Sequence, residues 1–96
     1  MWTKEQIGER IEGSNKWLER GVLAIYDRQT RDEKSVKDTK YLNGMGFSAF
    51  DVQYLSYVAE YLKSGRHLSG QYVEKTRKRM KRYVGQLTKI ANGELA

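Results

Sequence analysis

Cysteine and proline are both absent from this 96-residue chain. Without cysteine, the chain can form neither a disulfide framework nor a thiolate metal site. Because proline disrupts helix interiors, its absence suits a mainly helical protein. No apolar run approaches the roughly 18 residues that a membrane-spanning helix needs, and the amino end lacks the apolar stretch of a signal peptide. We therefore expect a cytoplasmic protein with no membrane partner.

Positive charge is unevenly distributed along the chain. The net charge is +6. Residues 48–96 hold nine basic and four acidic side chains, whereas residues 1–47 are nearly balanced. A local basic excess of this kind favours a polyanion or an acidic protein face as the partner. The length predicts a single domain over residues 1–96, with a modest core.

The first half of the chain carries one long helical pattern. Thr3 and Gln6 have the spacing of a capping box, which predicts a helix start at Thr3. The pattern continues to about Arg28, with a weak point at residues 13–15 where the helix could break and restart. Residues 29–43 read as a polar connection, with room for a further helical turn in 29–38. The apolar stripe of this first helix consists of Ile7, Ile11, Leu18, Val22 and Ile25.

Two further helices follow. Ser48 and Asp51 have the spacing of the N-cap and N3 positions, and Gly65 is a plausible helix end. A third helix is expected from Ser69 to the stop at residues 92–93. The fold class predicted is therefore all-α, a compact single domain of three main helices with the third strongly basic. The buried faces expected for the second and third helices are Val52, Leu55, Val58, Ala59 and Leu62, then Val73, Thr76, Met80, Val84, Leu87 and Ala91.

The stretch 43-NGMGF-47 before the second helix has two interpretations. In the first it is a structural corner, formed by Gly44, Gly46, Phe47, Ser48 and Asp51, in which the glycines turn the chain and Phe47 packs against the helix. In the second, free N–H groups at the helix start meet a phosphate. The pattern G-x-G-x-x-A also resembles a dinucleotide fingerprint, but that motif needs a preceding strand. We favour the corner.

The segment 75-KTRKRMKR-82 contains six basic residues in eight. Its cations lie outside the apolar stripe, so a rigid helix can present them to a row of phosphates. An acidic protein surface is the second interpretation, and a plain solvated face is the third. The candidate residues for binding nucleic acid or an acidic partner are Lys75, Arg77, Lys78, Arg79, Lys81, Arg82, Lys89 and Arg66.

Three tyrosines form a ridge beside the apolar face of the second helix. Tyr54, Tyr57 and Tyr61 are spaced so that they share one side of that helix. Such a ridge can stack bases or fill a partner's groove, and it makes these residues candidate interface aromatics. More often, tyrosines in this position close the rim of a core.

No catalytic or metal-binding constellation is visible in the sequence. His67 is the only histidine, and no carboxylate cluster accompanies it. No spacing brings a nucleophile together with a base. We therefore expect a non-enzymatic protein that needs no cofactor and no metal.

Several stretches together resemble a small module found in proteins of phages and mobile elements, and in phage-type helicase-like proteins. The matching residues are 28-RQTRDE-33, Thr39, 43-NGMGF-47, Asp51, Leu55, 65-GRHLSGQ-71, Tyr83 and 86-QLTKIA-91. The resemblance implies a mobile-element origin and a role in nucleic-acid transactions in the cytoplasm of a host cell. It implies no catalytic residue.

These observations support three functional hypotheses. The first is a basic phage or prophage accessory protein that binds nucleic acid through the face of its third helix. The alternative is a phage-encoded inhibitor of a host-defence nuclease, of the anti-CRISPR or anti-restriction type, which docks on a nucleic-acid-processing protein complex. The third is a homodimer built on the exposed aromatic edge.

Overall fold

Five α-helices and one short 3₁₀ turn make up the described part of the chain. The structure is a computed structural model, and it describes the backbone of residues 1–35 and 46–93 and the side chains of residues 1–29 and 46–93. Most of the polar connection predicted at residues 29–43, and Gly44 with it, lies outside the described residues. The helices are α1 (Lys4–Gly13), α2 (Asn15–Ser35), α3 (Val52–Lys63), α4 (Gln71–Met80) and α5 (Val84–Ala91), with the 3₁₀ turn at Lys81–Tyr83.

The first helix begins as the sequence predicts and then breaks. Thr3 Oγ1 accepts a hydrogen bond from Gln6 N at 3.2 Å, and Gln6 Oε1 accepts one from Thr3 N at 3.0 Å, so the capping box is confirmed. Ser14 adopts an extended conformation, and its Oγ accepts a hydrogen bond from Trp17 N. A serine in this position caps a new helix. The chain is therefore divided into α1 and α2 at the predicted weak point, and α2 continues past Arg28 to Ser35.

The second and third predicted helices begin later than expected. Ser48 O accepts hydrogen bonds from Asp51 N and Val52 N, so a turn precedes α3. Asp51 occupies the N-cap position instead of N3, and its carboxylate makes no capping hydrogen bond. Helix α4 begins at Gln71 instead of Ser69, and its N-cap residue is Gly70, which has a φ of 58°.

The final helical segment is interrupted by the 3₁₀ turn. Helix α4, the turn Lys81–Tyr83 and α5 follow one another without a loop. Over the described ranges, the chain thus forms four helical segments where the sequence predicted three, and the basic run lies in the fourth. The all-α prediction is confirmed, because residues 1–35 and 46–93 contain no strand.

Helix α2 lies at the centre of the fold and contacts α1, α3, α4 and α5. The predicted stripe of the first half is buried throughout, since Ile7, Ile11, Leu18, Val22 and Ile25 are all at most 1% exposed. The radius of gyration is 12.8 Å, close to the value of about 12.5 Å expected for a compact chain of this length. None of the described helices is both long and apolar enough to cross a bilayer.

Candidate nucleic-acid interface

A fully buried carboxylate lies beneath the basic surface of α4. Asp51 is 0% exposed. Its Oδ2 accepts hydrogen bonds from Tyr83 Oη at 2.6 Å and Arg82 Nη1 at 3.1 Å, and its Oδ1 accepts one from Arg79 Nη1 at 2.8 Å. Asp51, which the sequence predicted at the N3 position, is thus the counter-ion of two arginines from the last helical segment.

The partners of Asp51 keep it ionised. Burial by itself raises the pKa of a carboxyl group, but the hydrogen bonds from Tyr83 and Arg79 and the charges of both arginines outweigh burial, so the pKa of Asp51 is lowered from 3.8. Burial, together with the hydrogen bond to Asp51, raises the pKa of Tyr83 above 10.0. The phenol therefore remains a donor to the carboxylate at neutral pH.

An exposed phenylalanine lies against the two arginines. The side chain of Phe50 is 75% exposed, and the guanidinium carbons of Arg79 and Arg82 lie 5.9 and 5.5 Å from its ring centroid. Arg79 also lies 4.9 Å from the ring of Tyr54, and Lys75 Nζ lies 4.6 Å from that ring. These distances are within the range of cation–π contacts.

Phe50 and the cations around it form one surface, which we call the basic patch. It is a shallow depression lined by Phe50, Lys75, Lys78, Arg79 and Arg82. Lys78 is exposed and makes no ion pair with any residue that the structure describes. Asp51 offsets only one of the four positive charges, so these residues together carry a net positive charge.

Two of the predicted binding residues instead stabilise the contact between α4 and the first half of the chain. Arg77 Nε donates to the carbonyl oxygen of Ile11 at 2.8 Å, and its Nη2 donates to Asn15 Oδ1 at 2.7 Å. The Arg77 side chain is only 11% exposed. Lys81 forms an ion pair with Glu12 at 2.9 Å. Because these contacts lie on the α1 side of α4, Arg77 and Lys81 are separated from the basic patch.

The remaining two predicted cations lie elsewhere on the surface. Lys89 is exposed on α5 and is not among the residues that line the basic patch. Arg66 lies in the loop between α3 and α4, with its guanidinium carbon 5.6 Å from the ring of Tyr61. The structure therefore brings Arg66 to the tyrosines and not to the other cations.

Four tyrosines from α3 and α4 line a groove next to the basic patch. The groove consists of Tyr54, Tyr57, Val58, Tyr61, Leu68, Ser69 and Tyr72, and we call it the tyrosine groove. Tyr57 is 65% exposed and stacks on Tyr61 at a centroid distance of 6.4 Å. Tyr54 is half-buried and shares a hydrogen bond with Thr76 Oγ1. Tyr54 therefore closes the rim of the core, whereas the Tyr57 ring lies largely in solvent.

The segment before α3 is held by two glutamines. Gly46 has a φ of 111°, and it exchanges hydrogen bonds with the Gln86 side chain at 2.9 and 3.1 Å. Gln29 Oε1 accepts a hydrogen bond from Phe47 N at 2.8 Å, and Tyr83 Oη accepts one from Ser48 N. The N–H groups of residues 46–48 are thus already bonded within the protein and are not free to bind a phosphate.

The loop that separates the two tyrosine-bearing helices is attached to α2. Glu19 Oε2 accepts a hydrogen bond from Leu68 N at 2.9 Å, and Glu19 Oε1 shares a hydrogen bond with His67 Nδ1 at 2.9 Å. His67 thus has a structural partner. Among the described residues, no three histidine, aspartate or glutamate side chains are arranged to hold a metal ion.

Sequence reasoning missed two residues that extend these surfaces. Phe50 precedes the tyrosine ridge by one helical turn, so the spacing Phe50, Tyr54, Tyr57, Tyr61 was a readable signal. On α4, Tyr72 precedes Lys75 by about one helical turn and Arg79 by about two. The structural roles of Gln29 and Gln86 carried no such signal, because each depends on contacts with a distant part of the chain.

Comparisons of the chain with models of protein families, with curated proteins and with solved structures gave no match. The function must therefore be inferred from the side chains themselves.

Proposed function

We propose that this protein is a non-enzymatic accessory protein that binds nucleic acid through the basic patch. The observation that carries the proposal is the composition of that patch, in which four cations surround an exposed aromatic ring on one face. Cationic grooves that contain aromatic side chains are typical of proteins that bind nucleic-acid strands with little sequence preference. The resemblance to mobile-element modules supports a phage or prophage setting in a host cytoplasm.

The anchoring of Arg79 and Arg82 supports contact with phosphates. Each arginine donates one Nη1 hydrogen bond to the buried carboxylate, which restrains the position of its guanidinium group. The Arg82 side chain is 58% exposed, and no described residue accepts a hydrogen bond from its Nε or Nη2. Guanidinium groups that retain donors suit phosphate oxygens, and prior anchoring lowers the entropy lost on binding.

Contacts from this patch are expected to be largely independent of sequence. Lysine ammonium groups act as point charges toward phosphates, and only base edges carry sequence information. Lys75 and Lys78 would therefore contribute affinity and counter-ion release without base readout.

The experiment is a binding titration of fluorescent single-stranded and duplex oligonucleotides at low salt. The variant Lys75→Gln plus Lys78→Gln removes two charges from the patch and leaves the Asp51 contacts intact. The control Lys4→Gln plus Lys16→Gln removes the same charge from exposed positions on α1 and α2. We expect the first variant to bind more weakly than the control to every sequence tested, with both variants retaining the wild-type melting temperature.

Failure of the wild type to bind either form of nucleic acid would overturn the proposal. In that case, the inhibitor of a host-defence nuclease becomes the leading hypothesis, and capture of one host complex from nuclease-treated lysate is its test. A mass that rises with concentration would instead favour the homodimer.

A further inference from the structure

We infer that the ligand is a single strand, whose bases stack in the tyrosine groove while its phosphates follow the cations beside it. This inference rests on the proposed function and names the form of nucleic acid that the same face selects. It makes Tyr57 and Tyr72 binding residues and adds Arg66 at the far end of the site.

Exposed rings favour unpaired bases. Tyr57 and Tyr72 are 65% and 51% exposed, and Phe50 is 75% exposed. In a duplex the faces of the bases are already stacked on one another, so a ridge of rings on the protein gains nothing from them. In a single strand the faces are available, and every base offers one.

The groove and the basic patch adjoin at Tyr54, which lines the groove and contacts two cations of the patch. Its ring lies beneath Lys75 and Arg79. At one end of this surface Arg66 lies over Tyr61, and at the other Arg82 lies beside Phe50. Cations therefore lie beside rings at three points of this surface, at Tyr61, Tyr54 and Phe50, and a strand carries phosphates and bases at similarly close spacing.

The length of the ridge fits a short stretch of strand. Tyr54 and Tyr61 are seven residues apart on α3, which corresponds to about 10 Å along the helix axis. At the base spacing of about 3.4 Å, this length accommodates about three stacked bases. The exposed Phe50 extends the surface beyond the first turn of α3.

The groove is smaller than most pockets that enclose small molecules. Its volume is about 240 Å³. Pockets that enclose small ligands usually measure about 300–1,000 Å³ and are mostly apolar. A smaller groove lined by four tyrosines would cover only part of a ligand, and its rings are planar surfaces on which bases can stack. Because cations lie over or beside its rings, an anionic ligand with planar groups complements the groove better than an apolar peptide does.

The test compares a fluorescent single strand of mixed sequence with its duplex at the same salt concentration. The variant is Tyr57→Ala plus Tyr72→Ala, and the matched control, Tyr57→Phe plus Tyr72→Phe, retains both rings. We expect the alanine variant to lose at least about tenfold in affinity for the single strand, because each stacked base contributes substantially. The phenylalanine variant should bind within about twofold of the wild type, since stacking needs the ring and not the hydroxyl.

The salt dependence separates stacking from charge. Removal of neutral rings should leave the slope of log affinity against log salt unchanged, whereas removal of Lys75 and Lys78 should flatten it. The wild type should also bind the single strand more tightly than the duplex, a result that does not depend on the folding of any variant.

Three results would overturn the inference, and they differ in what they say about the proposed function. Equal affinity of the wild type for both forms, or no effect of the alanine variant, would overturn the single-strand inference and leave the basic patch as a general binding site. Absence of binding to either form would overturn both proposals, and the tyrosine groove would then be assigned to a protein partner.

Discussion

At the scale of single residues, Asp51 connects the stability of the fold to the geometry of the basic patch. A buried carboxylate is costly unless its oxygens are paired and hydrogen-bonded. Here Tyr83, Arg79 and Arg82 supply those hydrogen bonds, and the two arginines are held in place in return. The same residue thus contributes to the core beneath the surface and to the orientation of the cations on it.

We predict that Asp51→Asn destabilises the protein by about 2–3 kcal/mol at neutral pH, because a neutral amide cannot satisfy two guanidinium groups. Since the pKa of Asp51 is lowered on folding, its ionisation contributes stability above the unfolded value of 3.8, and this contribution is lost as the pH falls through the folded value. Urea unfolding of both proteins between about pH 2 and pH 7 measures the difference.

The gap in unfolding free energy between wild type and variant should be constant above about pH 5 and should narrow below the unfolded pKa. As a control, Glu12→Gln removes the exposed ion pair with Lys81 and should cost less than about 1 kcal/mol. A gap that is independent of pH would mean that Asp51 is not ionised in the folded protein.

At the scale of secondary-structure elements, the approach to α3 depends on one glycine. Gly46 has a positive φ, and a Cβ added there would lie 3.1 Å from Gln29 Oε1. That oxygen also accepts the hydrogen bond from Phe47 N. A side chain at position 46 would therefore strain the backbone and press on the glutamine that holds the segment.

We predict that Gly46→Ala destabilises the protein by about 1–3 kcal/mol. The matched control is Gly8→Ala, at a position within α1 where an added Cβ meets no other atom within 4 Å. There the same substitution should stabilise the protein by about 0.5–1 kcal/mol, because alanine favours the helix. Thermal melting of the two variants distinguishes the outcomes, and equal effects would contradict the assigned backbone conformation.

Local sequence signals predicted those helix starts and ends that depend only on neighbouring residues. The capping box at Thr3 and the positive φ at Gly65 and Gly93 depend on neighbouring residues alone, and these features were readable from the sequence. The start of α3 was not readable, because Asp51 does not occupy the N3 position. It pairs instead with Arg79 and Arg82, which lie 28 and 31 residues later in the chain. A local pattern cannot reveal a competing partner that the fold supplies.

At the scale of the whole molecule, the basic run is divided between two sides of α4. The sequence identified six cations in residues 75–82, but it could not show that Arg77 and Lys81 contact the α1 side while the others surround Phe50. This division depends on the packing of α4 among its neighbours. It concentrates the exposed positive charge beside the tyrosine groove, where one strand could contact both the cations and the rings.

The central claim is that Lys75 and Lys78 contact phosphates, and a salt titration of wild type and the Lys75→Gln plus Lys78→Gln variant tests it most directly. On a single strand, we predict that the slope of log affinity against log salt is flatter in the variant by up to about 0.7 for each lost contact. Melting curves of both proteins should nearly coincide, because both lysines are exposed and neither pairs with Asp51. Equal slopes and equal affinities for the two folded proteins would contradict the assignment of the basic patch to nucleic-acid binding.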